Sequence, residues 1–190
     1  MTRHLFISLR ITLALLVLTC GVYPAVVWAV AQTAFPHQAN GSMLVRDGKT
    51  IGSELIGQDF ADPRFFHPRP SSGNYDPSAS GGTNLGMTSK KLLGTLASRT
   101  ASYADVKPAN GIPADAVTAS CSGVDPHISP ANAASQAPRV AAANHLPLAR
   151  VQQLIASRTE GRFVGVFGEA RVNVLLLNLD LRDAHRDAGP

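Results

Sequence analysis

A single apolar stretch, residues 11–31, constrains this chain more than any other feature. It reads ITLALLVLTCGVYPAVVWAVA, and no Asp, Glu, Lys or Arg occurs from Ile11 through Val45. At about 1.5 Å of rise per residue, a helix of this length spans roughly 31 Å, close to the roughly 30 Å hydrocarbon core of a bilayer. We therefore predict one transmembrane helix over residues 11–33.

The charges that flank this stretch predict its orientation. Arg3 and Arg10 precede it, and the first ten residues contain no acidic residue. Because positively charged flanks tend to stay inside the cell, residues 1–10 are expected in the cytoplasm and residues 34–190 in an extracytoplasmic domain. The sequence thus predicts a single-pass protein of the cell inner membrane with a cytoplasmic N-terminus.

The outer part is nearly balanced in charge. All 13 acidic residues lie there, together with every Lys and Arg except Arg3 and Arg10. Its formal charge is therefore only about +2, which gives little electrostatic attraction for a polyanion. We predict no nucleic-acid partner, and membrane lipids as the surroundings of the helix.

Two other interpretations of the apolar stretch remain open. The sequence AVA at 29–31 has the form of a signal-peptide cleavage site, but the apolar region exceeds the usual length of about 7–15 residues. Cys20 could end a lipoprotein signal, but Thr19 is a poor residue before a lipidated cysteine. With Cys20 in the membrane and Cys121 outside, no intramolecular disulfide is expected.

Small residues recur every four positions within the stretch, at Gly21, Ala25 and Ala29. On a helix they share one face, and small faces let helices approach closely in lipid. This face is a candidate site for packing against another membrane helix, although Gly and Ala are also simply common in membrane helices. Pro24 lacks a backbone donor and is predicted to bend the helix near Cys20.

We predict an α+β fold for the outer domain, with a small mixed or antiparallel sheet covered by helices. Strands at 42–46 and 49–56 flank Asp47-Gly48, a strong signal for a two-residue hairpin turn. Alternating and helical periodicities predict the other elements. Helices are predicted over residues 89–103, 130–143 and 147–161. Strands are predicted over residues 115–120, 162–167 and 171–181, followed by a charged tail at 182–190.

Residues 62–89 are rich in Pro, Gly, Ser and Asn and show no helical or strand period. Such a composition is typical of disordered linkers. Phe65, Phe66 and Tyr75 favour an ordered loop instead, because aromatic side chains need burial. Long ordered loops inside compact domains are usually functional.

Catalytic signatures are scarce. The chain has no Gly-x-Ser-x-Gly nucleophile elbow, and its histidines are scattered. Asp125 and His127 are close enough to share a metal, but a capped turn explains the pair more simply. Arg69 could bind an anion, although a structural ion pair is the simpler role. The sequence favours a non-catalytic protein, with a membrane-anchored periplasmic hydrolase as the alternative.

Several motifs together resemble one known family. They are QANGS at 38–42, IGSELIGQ at 51–58, Phe66 with RPS at 69–71, GTNLG at 82–86, SGVDPHIS at 122–129 and RVNVL at 171–175. In this order they are similar to the C subunit of the bacterial Kdp potassium-transporting ATPase, over nearly the whole chain. Cys121, where the family usually has Gly, Met87, where it often has Pro, and His67-Pro68 are small departures.

The resemblance implies an accessory subunit of a high-affinity, ATP-driven potassium uptake complex. Its implied partners are a channel-like potassium-binding subunit and a phosphorylated pump subunit. The family is proposed to stabilise the complex and to raise the ATP affinity of the pump, so ATP is a ligand implied for the complex. No tightly bound cofactor and no metal are expected in this chain.

The predicted orientation limits how ATP could be involved. ATP is cytoplasmic, where only residues 1–10 are expected, so any effect on its affinity should be conformational and pass through the membrane helix. Candidate partner contacts lie in the outer loops. They are Arg69, Pro70, Asn84, Gly86, Ser122, Gly123, Asp125 and His127.

Overall fold

The computed structural model describes residues 2–103 and 111–187. The chain forms two compact units, Met1–Ser53 and Glu54–Pro190, and each is considered by itself. The first consists of a long helix and a hairpin, and the second holds the hydrophobic core.

The predicted transmembrane segment lies within a continuous helix, Thr2–Ala34, of 33 residues and mean hydropathy 2.2. It comprises α1 (Thr2–Leu16), a π-helical turn (Val17–Val22) and α2 (Tyr23–Ala34). None of its residues is buried within the protein. Length and composition therefore suit a membrane crossing, as the sequence predicts.

The π-helical turn coincides with the position where Pro24 was predicted to disturb the helix. A proline at position 24 cannot donate to the carbonyl four residues earlier, which belongs to Cys20. The Tyr23 N–H instead donates to the Leu18 carbonyl, five residues earlier. Wider turns of this kind are a known way to accommodate a local break in the ladder.

The predicted hairpin is confirmed. After a short helix, α3 (Pro36–Ala39), strands β1 (Met43–Arg46) and β2 (Lys49–Ser53) pair antiparallel. Asp47 and Gly48 both have positive φ, at 51° and 73°, as a two-residue hairpin turn requires. The second strand ends at Ser53 rather than at the predicted residue 56, because a turn begins there.

The second unit is an α+β domain, as predicted. Its sheet is antiparallel in the order β3 (His127–Ile128), β5 (Arg171–Asn173) and β4 (Thr159–Glu160). Helices α6 (Pro130–Ala143), α7 (Leu148–Ser157) and α8 (Val174–Asp187) build the core. Two further helices, α4 (Lys90–Ala101) and α5 (Ala114–Val117), complete the domain.

The core joins these helices to the central strand and to one loop residue. Its fully buried members are Phe66, Ala133, Val140, Val151, Val172, Leu177 and Leu181. Phe66 comes from the loop at 62–89, so the predicted burial of an aromatic in this loop is confirmed. Burying a phenylalanine side chain contributes about 2–3 kcal/mol, which offsets part of the entropy cost of ordering the chain around it.

The observed helix caps lie at or near the residues that the sequence predicts. The Ser89 side chain accepts a hydrogen bond from the Leu92 N–H and caps α4, which ends at Ala101, two residues before the predicted end. Ser129 caps α6 through the Asn132 N–H, and Pro130 occupies the first turn. The predicted helix from residue 147 ends at Ser157, with Arg158 as its C-cap.

The prediction of a strand over residues 171–181 is wrong. Only Arg171–Asn173 is a strand, and the chain continues as helix α8 through Asp187. Val174, Leu177, Leu181 and Ala184 are buried at spacings of three and four residues, so the leucines form a helical face. Residues 182–187 of the predicted tail extend this helix, and residues 188–190 lie outside the described part.

Two other predicted strands are also wrong. Residues 115–120 contain the short helix α5, because Asp115 turns its carboxylate to Ser129 and the Thr118 hydroxyl donates to the Ala114 carbonyl. Residues 162–167 form a tight turn with one isolated bridge between Phe163 and Phe167. The segment before this turn that pairs with β5 is β4, at residues 159–160.

Candidate functional site

The loop at 62–89 is held by amide side chains of two core helices. Asn178 of α8 accepts from the Phe66 N–H at 2.8 Å and donates to the Phe66 carbonyl at 2.9 Å. Gln136 of α6 binds the N–H and the carbonyl of His67 in the same way, at 2.8 and 3.0 Å. These two amides thus fix the loop through its main chain just before Arg69.

Arg69 forms a structural ion pair, as predicted, and the structure identifies Asp125 as its partner. The guanidinium Nη1 donates to Asp125 Oδ2 at 3.1 Å, and Nη2 donates to the Ala119 carbonyl at 3.4 Å. The Tyr75 hydroxyl donates to the Arg69 carbonyl at 2.8 Å. The ion pair therefore joins the first loop to the loop at 119–127.

Asp125 and His127 form the predicted capped turn. The His127 N–H donates to Asp125 Oδ1 at 3.0 Å, and His127 Nδ1 lies 3.7 Å from the same oxygen. Burial by itself would raise the pKa of Asp125, but hydrogen bonds from His127 and the charge of Arg69 outweigh burial and lower that pKa. Asp125 is thus held as a carboxylate.

Serine hydroxyls bind the two loops together. Ser71 Oγ donates to the Gly123 carbonyl at 2.6 Å and accepts from the N–H groups of Gly73 and Tyr75. The Ser122 carbonyl accepts from the Gly81 N–H at 2.8 Å. Ser122 and Gly123, two of the candidate contact residues, therefore lie in one bonded surface with Arg69 and Asp125.

Close approach explains a glycine at position 123. Its φ is 72°, and a Cβ there would lie 3.1 Å from the Gly81 carbonyl oxygen. The Pro70 carbonyl accepts from the Ser120 N–H at 3.2 Å, which brings Pro70 into the same surface. A larger residue at 123 would be strained by the positive φ and would require the Gly81 carbonyl to shift by a few tenths of an ångström.

Asn84 and Gly86 are placed differently from the other candidates. Both are exposed, and Asn84 has a positive φ of 52°. The Gly86 carbonyl accepts from the Ser89 N–H at the start of α4. Within the described ranges neither residue hydrogen-bonds to the Arg69–Asp125 pair, so the structure separates them from the central cluster.

A groove of about 530 Å³ runs beside the cluster. Its charged and polar lining comprises Arg69, Asp115, Asp125, His127, Ser129, Glu169 and Arg171. Arg69 Nε is buried and has no hydrogen-bond partner among the described residues. The mixed charges suit polar contacts with a protein surface, since neither sign dominates.

Two serine hydroxyls near the cluster are engaged in structural hydrogen bonds. Ser120 Oγ accepts from the Gly123 N–H at 2.9 Å, and Ser129 Oγ donates to Asp115 at 2.9 Å. Over residues 2–103 and 111–187, no group of three or more His, Cys, Asp or Glu side chains could hold a metal ion. The hydrolase alternative is not favoured by this arrangement.

His67 is a partly buried histidine of the loop at 62–89. Burial lowers its pKa, the positive charge of Arg139 lowers it further, and the Asp62 carbonyl opposes both. Its Nε2 lies 3.3 Å from that carbonyl, and its main chain is held by Gln136. Its surroundings are those of a neutral packing residue.

The three small residues of the membrane helix are all exposed. Gly21 lies in the π-helical turn, while Ala25 and Ala29 lie in α2. A Cβ added at Gly21 would meet nothing within 4 Å. The helix itself therefore leaves room for a neighbour along this segment.

Sequence reasoning missed two features of the domain. One is the set of buried amides that hydrogen-bond to backbone, including Gln136, Asn144, Asn173 and Asn178. Asn and Gln are usually surface residues, and only their position among buried apolar residues could have revealed them. The other is the exposed apolar turn after β4, which was predicted as a strand.

An apolar helix long enough to cross a bilayer, joined to a separate α+β domain with rigid polar loops, is the architecture of a membrane-associated subunit. The family model for the K+-transporting ATPase c chain matches residues 5–183. A potassium-transporting ATPase KdpC subunit of Gemmatimonas aurantiaca is 50% identical over 185 residues, covering 95% of this chain and 93% of that protein.

Two further relatives carry the same description. The protein of Acidobacterium capsulatum is 52% identical, with 86% of this chain and 89% of the relative covered. That of Sorangium cellulosum is 48% identical, with 97% and 100% covered. The chain belongs to the KdpC family of potassium-transporting ATPase subunits, as the motifs of the sequence indicate.

Proposed function

We propose that this chain is a non-catalytic accessory subunit of a high-affinity, ATP-driven potassium uptake complex. In this proposal residues 1–10 lie in the cytoplasm, one helix crosses the inner membrane, and residues 34–190 lie outside. The chain holds together the channel-like potassium-binding subunit and the phosphorylated pump subunit. Family membership supports this role.

The observation that carries the proposal is that most polar groups at the centre of the loop surface already hydrogen-bond within the domain, with Arg69 Nε as an exception. Arg69, Asp125, His127 and Ser71 bind one another or nearby main chain, at 2.6–3.1 Å. A nucleophile needs a free hydroxyl beside a base, and these groups are already committed. What the surface retains is a fixed shape and fixed charges, which suit recognition of a partner subunit.

The outer loops are the proposed contact surface on the extracellular side of the channel. Its members are Arg69, Pro70, Asn84, Gly86, Ser122, Gly123, Asp125 and His127. The central cluster is ordered before binding, so association loses little conformational entropy there. The helix is the second proposed contact, through Gly21, Ala25 and Ala29, with lipid around the rest.

An effect on ATP affinity, in this proposal, is indirect. The outer domain and cytoplasmic ATP lie on opposite sides of the bilayer, so the chain binds no cofactor tightly. Its influence passes through the membrane helix by favouring one conformation of the pump, which is the form that any coupling between distant sites takes.

Purification from membranes tests the proposal. A tagged full-length chain, co-expressed with the potassium-binding and pump subunits, is expected to bring both down in stable amounts. In spheroplasts, external protease should cut the outer domain and leave the pump's nucleotide domain intact. Isolation of the chain without these subunits would contradict the proposal. So would an outer domain that the protease cuts only after the spheroplasts are lysed.

A further inference from the structure

The turn between β4 and β5 exposes an unusual concentration of apolar side chains. We call residues 162–169 the apolar tip. Phe163, Val164, Val166 and Phe167 are 75%, 75%, 70% and 68% exposed. Clusters of large apolar side chains at a surface mark interaction sites, whereas isolated ones are ordinary. No part of the proposed loop surface includes these four residues.

Main-chain hydrogen bonds fix the backbone of the apolar tip. Phe163 and Phe167 exchange main-chain hydrogen bonds of 2.8 and 3.0 Å. The Gly165 N–H donates to the Arg162 carbonyl at 3.0 Å, and the Val166 N–H donates to the Phe163 carbonyl at 3.2 Å. The exposure is therefore a property of a defined turn and not of a loose segment.

Val164 adopts a backbone conformation that valine rarely adopts. Its φ is 52° and that of Gly165 is 75°, the pair of values that Asn-Gly adopts readily. A β-branched residue with positive φ is strained. Strain of this kind clusters at functional positions, and here it keeps an apolar side chain at the apex.

The charges at the base of the tip are neutralised within the domain. Arg162 pairs with Glu169 at 2.8 Å, and Arg171 pairs with Glu160 at 2.9 Å. Binding to anionic lipid head groups calls for unpaired basic residues beside the apolar ones. An apolar centre with a charge-balanced rim instead matches the anatomy of a protein–protein interface.

We infer that the apolar tip inserts into an apolar cleft on another polypeptide subunit of the same membrane complex. This inference rests on the proposed function, because it needs a partner subunit. Phe163 and Phe167 supply the rigid aromatic area that dominates binding at such sites. The tip is then a second anchor of the outer domain, chemically distinct from the polar loops.

A photo-cross-linking amino acid tests the contact directly. Benzoylphenylalanine in place of Val164, in the complex co-purified with its other subunits, is expected to form an adduct whose mass includes one of those subunits. The same probe at Leu93, an exposed apolar position on α4, is the control and should form none. Adducts with lipid alone, or none at the tip, would overturn the inference.

A second variant removes the apolar surface without the probe. Replacing Phe163→Gln together with Phe167→Gln should lower the recovery of partner subunits about tenfold or more, the size of a hot-spot loss. Leu93→Gln is the matched control. Unchanged recovery of the partner subunits would overturn the inference. If the double variant fails to fold, the cross-linking experiment at position 164 decides. A wild-type chain that recovers no subunit contradicts the proposed function, whereas recovery without a tip adduct contradicts only the tip.

Discussion

Asp125 joins two loops whose residues are 56 positions apart in the chain, because its carboxylate accepts from Arg69 and from the His127 N–H. The pKa of Asp125 is lowered in the folded protein even though burial alone would raise it. A lowered folded pKa means that the contribution to stability is complete above the ordinary value of 3.8 and is lost as pH falls through the folded pKa.

Asp125→Asn should therefore lower stability at neutral pH by about 1–3 kcal/mol, because Arg69 loses its charged partner. The variant should also lose less further stability than the wild type as the solution is acidified below about pH 4. Thermal unfolding of the full chain in detergent across pH checks both effects. Asp59→Asn, at an exposed carboxylate, is the control, and equal pH profiles for wild type and Asp125→Asn would contradict the argument.

Substitution of Val164 can separate the effect of backbone strain on stability from the effect of the apolar side chain on partner binding. Val164→Asn should raise stability by about 1 kcal/mol, because Asn tolerates positive φ, while recovery of partner subunits falls. Val166→Asn removes a similar apolar side chain where φ is not positive. It should weaken recovery without raising stability, and a matching rise in its melting temperature would show that strain at 164 is not the cause.

At the scale of elements, helices α6 and α8 hold a loop that has almost no regular structure of its own. Their amide side chains replace the hydrogen bonds that a neighbouring strand would otherwise provide. Buried peptide groups need such partners, since an unpaired one costs about 1–3 kcal/mol. The order of the loop thus depends on side chains that lie far away in the sequence.

Asn178→Leu should destabilise the domain by about 2–4 kcal/mol, because it keeps the branched outline of the side chain but leaves the N–H and the carbonyl of Phe66 unpaired. Denaturant titration of the full chain in detergent measures the loss. Ser98→Leu, on the exposed face of α4, changes a polar residue without touching a buried partner. A loss no greater than that of this control would exclude the proposed role of Asn178.

The membrane helix offers the second element-scale prediction. Gly21→Leu with Ala25→Leu and Ala29→Leu should reduce recovery of the other subunits about tenfold, because bulk on this face holds a neighbouring helix away. Val27→Phe adds bulk elsewhere on the helix and is the control. Normal recovery of the complex with all three leucines would remove the small face from the proposal.

For the whole molecule, the sequence predicts features whose causes are local. The hairpin follows from Asp47-Gly48, and two helix starts follow from Ser89 and Ser129, because turns and caps are set by a few adjacent residues. The structural ion-pair role of Arg69 and the turn at His127 were likewise predicted, whereas Asp125 as the partner of Arg69 was not.

The features that the sequence did not predict depend on tertiary contacts. The leucines at 175–181 alternate and also fit a helical face, and packing against Val172 and Ile155 in the core decides for α8. Phe163 to Phe167 have strand-forming side chains, yet the turn there depends on positive φ at Val164, which propensity argues against. Buried amides carry no signal in composition, since their partners are main-chain groups.

The proposed topology makes a prediction about nucleotide. With a photoreactive ATP analogue confined to the cytoplasmic side of sealed vesicles, the pump subunit should be labelled and this chain should not. The reason is that only residues 1–10 are proposed to face that compartment. Solubilising the vesicles with detergent serves as the comparison, and labelling of this chain before solubilisation would reverse the proposed orientation or show direct nucleotide contact.

The grip of Asn178 and Gln136 on peptide groups has an evolutionary consequence. Every amino acid except proline offers the same N–H and carbonyl, so the clasp is indifferent to which side chains the gripped segment displays. Phe66 itself is fixed by its place in the core, but exposed positions further along the loop can change their side chains while the loop keeps its path. A docking face built in this way can therefore change its exposed residues as the surface of its partner subunit changes in evolution.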